Sequence, residues 1–83
     1  MGVNKIHLLK RRFENMTDTL QLELEIKKNG YSKSEIASML GLSLNGFMLK
    51  VNNENEFKAS EIQKLCEILR LKDNSIFFKS DVN

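Results

Sequence analysis

The sequence predicts an all-α protein, a compact bundle of four to five short helices, and three observations lead there. Two amphipathic segments, SEIASML and SLNGFMLKVN, lie on either side of Gly41 and Leu42, and each opens on a serine of the kind that caps a helix. A further serine-led segment, Ser60-Glu-Ile-Gln63, runs into Leu65, Cys66 and Leu69 at helical spacing. Upstream, a run of good helix formers ends on Gly30, where a C-cap glycine belongs. The pair of segments around Gly41 has the outline of a helix-turn-helix.

Composition bounds the rest. A chain of 83 residues, 41% hydrophobic and without Pro or Trp, suits one small domain whose core is complete but thin. No apolar run approaches the roughly 18 residues of a membrane span. The basic start, MGVNKIHLLKRRF, is followed by no hydrophobic stretch of the signal-peptide kind. Ile6 stands where a myristoylation signal carries Ser or Thr. A cytoplasmic protein is therefore expected. One cysteine, Cys66, allows neither an intramolecular disulfide nor a cysteine-built zinc site, and it falls on the apolar side of a helix as a small hydrophobe. His7 is alone as well. With no Ser, His and Asp arrangement and no glycine-rich phosphate loop, we expect no metal, no cofactor, no small-molecule substrate and no catalysis.

Residues 1–15 carry four basic side chains and one acidic one, whereas residues 16–83 carry nine basic and ten acidic. The positive balance thus lies wholly in this leader. It reads as a basic arm in which Lys10, Arg11 and Arg12 follow a phosphate backbone, or as a solvated tail ahead of a domain that starts at Met16. A third reading is an extra helix: Ile6, Leu9, Phe13, Met16, Leu20 and Leu24 recur at steps of three or four, one apolar stripe from about residue 5 to 29 that would serve as a dimer contact. Thr17-Asp18-Thr19 opposes that continuity, because it resembles a helix start.

The next segment, LQLELEI at residues 20–26, alternates as a strand does. Its residue types and the closing glycine favour a helix instead, from Thr17 to Asn29, with Leu20, Leu24 and Ile26 inward. Ser32 and Glu35 fit a capping box, so a second helix runs to Leu40. Ala37, four residues before Gly41, is small where two helices cross closely, and Gly41 takes the left-handed conformation of a tight turn. Ile36, Leu40, Leu42, Phe47 and Val51 hold the second and third helices over a shared core. The third helix spans Ser43 to Asn52. Gly46 inside it costs about 1 kcal/mol relative to alanine, which points to close packing on the second helix or to a sugar-phosphate strand. Phe57 returns the chain to the core after a polar loop. Ser60 opens the fourth helix, which reaches Arg70 with Ile62, Leu65, Cys66 and Leu69 inward. Arg70 takes the place of a C-cap glycine, at the expense of a small strain. Asp73 caps a short fifth helix holding Ile76 and Phe77, and Phe78 and Val82 either complete the core or form a dimer contact.

GYSKSEIASMLGLS, KVNNENEFKASEIQKLCEIL and the IFF near the end resemble the Cro and repressor type of phage helix-turn-helix proteins, and more narrowly the small phage-borne regulators of Gram-positive bacteria. The likeness spans Thr17 to Val82. It implies a lambda-repressor-like DNA-binding domain over residues 16–83, with a helix at residues 17–29, working in the cytoplasm of a bacterial host. It also places the residues. The start of the second helix would lie against a DNA phosphate, with Lys33 and Ser34 in contact. The base-facing positions fall on Ser43, Leu44, Asn45, Met48 and Leu49, and Asn45 is suited to bond both N6 and N7 of an adenine. Lys50 occupies a position that is commonly aliphatic, so its stem would cover the core while its ammonium reaches a phosphate. Asn52-Asn53 replaces a common Asn-Gly pair, keeping the turn and offering Asn52 to a phosphate. Leu44, Met48 and Leu49 depart from the family's polar readers. Packed on thymine methyls, they would favour an A/T-rich site.

Two functions follow as expectations. One is a sequence-specific, Cro-like or repressor-like transcriptional regulator of a phage or other mobile element, bound to a double-stranded DNA operator, with a homodimer reading two half-sites. The alternative is a protein-binding module, an antirepressor or partner of another regulator, that uses the apolar face of the third helix.

Overall fold

Residues 16–79 are described by a computed structural model, and within them the chain forms α1 (Thr19–Lys28), α2 (Lys33–Met39), α3 (Leu44–Val51), α4 (Ala59–Ile68) and one 3-10 turn (Ser75–Phe77). No strand occurs among the described residues; a lone antiparallel bridge joins Met16 to Lys79. The stripe positions Ile6, Leu9 and Phe13 and the end residue Val82 lie outside the described residues.

Each helix begins where a nearby oxygen occupies an amide that the helix itself leaves unpaired. Asp18 Oδ1 accepts from Gln21 N at 3.2 Å. Ser32 and Glu35 close the expected capping box, at 3.1 Å to Glu35 N and 2.8 Å from Ser32 N. Ser43 Oγ accepts from Gly46 N at 3.0 Å. At α4 the expectation was two residues out: Lys58 holds the cap position, and the Glu61 carboxylate accepts from its amide at 2.9 Å, while Ser60 lies exposed in the first turn.

The four helix ends share one hydrogen-bond pattern, in which the second residue past the cap donates to the carbonyl five residues before it and a left-handed residue stands between. Tyr31 donates to Ile26, Leu42 to Ala37, Glu54 to Leu49 and Leu71 to Cys66, at 2.8–3.1 Å. The left-handed residues are Gly30, Gly41, Asn53 and Arg70, with φ of 80°, 74°, 66° and 55°. Glycine at Gly41 and the strain at Arg70 agree with the sequence reading.

Leu22, Ile26, Ile36, Ala37, Phe47, Val51, Leu65, Leu69 and Phe77 form the buried core, with Leu40, Leu42, Ile62 and Cys66 partly buried against it. Phe57 joins the two ends of that core, stacking edge-on to Phe47 at 6.0 Å and to Phe77 at 5.5 Å. Phe77 therefore completes the core, and Phe78 remains 47% exposed.

Three expectations are corrected. α1 is a helix, but Leu22 and Ile26 face inward while Leu20 is 80% and Leu24 49% exposed. Thr19 at its first turn sets this rotation, donating Oγ1 to the Val51 carbonyl at 2.7 Å. The helix expected from Thr17 starts at Thr19, and the alternative of one helix running unbroken through residues 16–18 does not hold, because Asp18 is extended and Met16 is paired to Lys79. Gly46 does not pack on α2: a Cβ added there would meet only the cap hydroxyl of Ser43, at 3.1 Å.

Candidate functional site

The turn between α2 and α3 fixes what both helices present to solvent. Gly41 donates to Ser38 at 3.0 Å and Leu42 to Ala37 at 2.9 Å, so the chain leaves α2 and enters α3 at Ser43 within four residues. Phe47 and Val51 anchor α3 from beneath. Residues at its N-terminal end and on its opposite face are left outside.

Of the positions expected to read bases, Ser43 and Asn45 are exposed and Leu44 is 46% exposed. The Ser43 hydroxyl accepts from Gly46 N, yet its own proton stays available. Met48 is partly buried against the core, and Leu49 is half-buried with its carbonyl accepting from Glu54 and Asn55. The accessible set is thus Ser43, Leu44 and Asn45 at the start of α3, with Met48 and Leu49 offering edges.

Among the expected phosphate contacts, Ser34 and Asn52 are exposed. Lys33 pairs with Glu23 at 3.0 Å while remaining partly open to water. Lys50 is a correction. Its ammonium meets both Glu61 oxygens, at 2.6 and 2.9 Å, with side-chain exposures of only 11% and 9%. An ammonium so placed is held by the protein and is not free to meet a backbone phosphate. Burial pushes the Glu61 carboxyl up, but the Lys50 ammonium and the Lys58 amide outweigh it, and the group titrates below its ordinary value. Lys10, Arg11 and Arg12 lie outside the described residues.

Sequence reasoning missed the surroundings of Leu44. A groove of about 670 Å³ opens beside it, lined by Lys27, Tyr31, Lys33, Ser34, Leu44 and Met48 among others. Glu23 and Lys27 line the groove from α1, and Glu23 is paired to Lys33, so exposed Lys27 is the cation that the α1 side adds. The pair Lys27-Lys28 ahead of Gly30 was the available signal, since basic residues in a last helical turn face outward beside the helix end. For the Lys50–Glu61 pair the signal was a lysine at a core-facing position, which demands a carboxylate partner.

No helix among the described residues is long and apolar enough to cross a membrane. Among them no group of three His, Cys, Asp or Glu side chains is placed to hold a metal ion. Comparison of the chain with known protein families, with curated proteins and with solved structures finds no match.

Proposed function

We propose that the protein is a sequence-specific DNA-binding transcriptional regulator of the Cro or repressor kind, from a phage or other mobile element, which acts by occupying its operator and performs no chemistry. The observation that carries this reading is the exposure of Ser43, Leu44 and Asn45 on the first turn of α3, beside exposed Ser34 and partly exposed Lys33 at the start of α2. A helix entering a major groove end-on needs this arrangement: base-reading groups at its first turn and phosphate-binding groups on the preceding helix. Asn45 would read adenine and Leu44 a thymine methyl. Phosphate contacts would come from Lys33, Ser34, Asn52 and Lys27, with Lys50 excluded by its pairing to Glu61.

A protein-binding role for the same face is the second reading, favoured by the apolar edge that Leu44 and Met48 give the groove beside Tyr31. Selection of duplexes from a random pool, followed by anisotropy titration across about 50 to 200 mM salt, separates the two. DNA binding predicts selected duplexes for which the logarithm of the binding constant falls linearly with the logarithm of salt concentration. Asn45→Ala should then cost about 1 to 3 kcal/mol and relax preference at one base pair. Failure to select any duplex, or affinity indifferent to salt, would refute the regulator reading.

A further inference from the structure

The chain holds two Asn-Gly pairs, Asn29-Gly30 and Asn45-Gly46. Such a pair is prone to lose ammonia spontaneously, because glycine puts no side chain in the path of ring closure. The glycine nitrogen gives its proton to water and bonds to the asparagine Cγ, the Cγ–Nδ2 bond breaks and ammonia leaves. Water then opens the succinimide to aspartate or isoaspartate. Both reacting groups must be free to move.

The fold treats the two pairs differently. Asn29 is partly buried, and its Nδ2 donates to the Glu25 carbonyl at 2.8 Å and to the Leu69 carbonyl at 3.3 Å. The Gly30 amide donates to the Lys27 carbonyl at 3.0 Å, so the ends of α1 and α4 must part before this ring closes. Asn45 is exposed, and its side chain makes no hydrogen bond among the described residues. Gly46 is the third residue of α3, where an amide has no partner inside the helix, and the Ser43 hydroxyl holds it at 3.0 Å. Packing does not demand glycine there, since an added Cβ would meet only that hydroxyl.

We propose that Asn45-Gly46 is a deamidation site of the folded protein, restrained by the Ser43 cap, while Asn29-Gly30 is locked by its contacts. The chemistry stands independently of the DNA reading. Its product puts a new carboxylate on the exposed first turn of α3, and isoaspartate also adds a carbon to the backbone of that turn.

The full chain is aged at neutral pH and digested, and the amide, aspartate and isoaspartate forms of the two peptides are resolved by chromatography and mass spectrometry. In the folded parent Asn45 should lose its amide about tenfold faster than Asn29, and in guanidinium chloride the two rates should converge. S43A should speed the loss at Asn45 about fivefold and leave Asn29 unchanged, whereas S43T, which keeps the hydroxyl, should match the parent. Equal rates at the two sites in the folded parent overturn the proposal, as does a difference that persists in guanidinium chloride. An Asn45 rate that S43A leaves unchanged overturns it too, and so does S43A speeding both sites together, since global opening would then be the cause. Should S43A fail to fold, S43G decides, because glycine suits the cap backbone: a loss at Asn45 about twofold faster supports the site, and an unchanged rate overturns it.

Discussion

The α2–α3 connection and the α3–α4 connection both turn the chain through a left-handed residue, but they are held by contacts of different reach. Around Gly41 every bond that shapes the turn joins residues within five positions of each other, from Ala37 to Leu42 and from Ser43 to Gly46. Around Asn53 the partners are distant. Asn53 Oδ1 accepts from Thr17 N at 2.8 Å and its Nδ2 donates to Thr17 O at 2.9 Å, across 36 positions. Lys50 meets Glu61 across 11 positions, and Phe57 bridges Phe47 and Phe77. The first connection is shaped by hydrogen bonds within its own sequence. The second is a clasp, which ties the start of the described chain, the end of α3 and the start of α4 together.

That contrast is broken most sharply at Glu61. Glu61→Ala leaves the Lys50 ammonium buried without a partner and removes the cap of α4, so it should destabilise by about 3 kcal/mol in a denaturant titration. The same carboxylate gives the clasp a pH dependence. Its folded pKa lies below the ordinary 4.5, so its contribution is present above that value and is lost as pH falls through the lower, folded one. Melting temperature should therefore drop below about pH 4.5, and Glu61→Gln should flatten the drop. A parent and variant with parallel acid profiles would show that other carboxylates set it.

Asn53→Ala should cost about 2 kcal/mol, since it strands the Thr17 amide and carbonyl and puts a Cβ without a compensating side-chain bond into a left-handed residue. Gly41→Ala tests the local connection alone. Nothing lies within 4 Å of the added carbon, so only backbone strain remains, about 1 kcal/mol. The smallest effect has the opposite sign: Arg70→Gly relieves the strain at φ 55° and should stabilise by about 0.5 kcal/mol, part of the gain being offset by a more flexible unfolded chain. If Asn53→Ala costs no more than Gly41→Ala, the distinction between clasp and local turn fails.

Legibility in the sequence follows the same division. The capping box at Ser32 and Glu35 and the glycines at 30 and 41 were readable because each pairs a residue type with a backbone need within one helical turn. The face of α1 was not. Leu20 and Leu24 are four apart, and so are Leu22 and Ile26; periodicity gives no preference between them. The choice is made by Asp18, which caps α1 as residue 18 and not 16, and by the bond from Thr19 to Val51. In the candidate site, Asn45 was placed by its position on an amphipathic helix. Lys50 was misassigned because its partner lies on another element, and an ammonium on a half-apolar face has two fates that sequence spacing does not distinguish. Ser60 was mistaken for a cap for a related reason: Glu61 serves both Lys58 and Lys50, and only the second demand fixes where α4 starts.

The pairing of Met16 with Lys79 also governs how the domain tolerates re-engineering. With residues 16 and 79 side by side, a short linker would splice them, and a circular permutant opened between Asn55 and Glu56 would keep every helix of this fold contiguous. Cargo fused at the new ends would then emerge from the α3–α4 loop, one turn beyond Asn52, where its bulk would interfere with whatever approaches that end of α3.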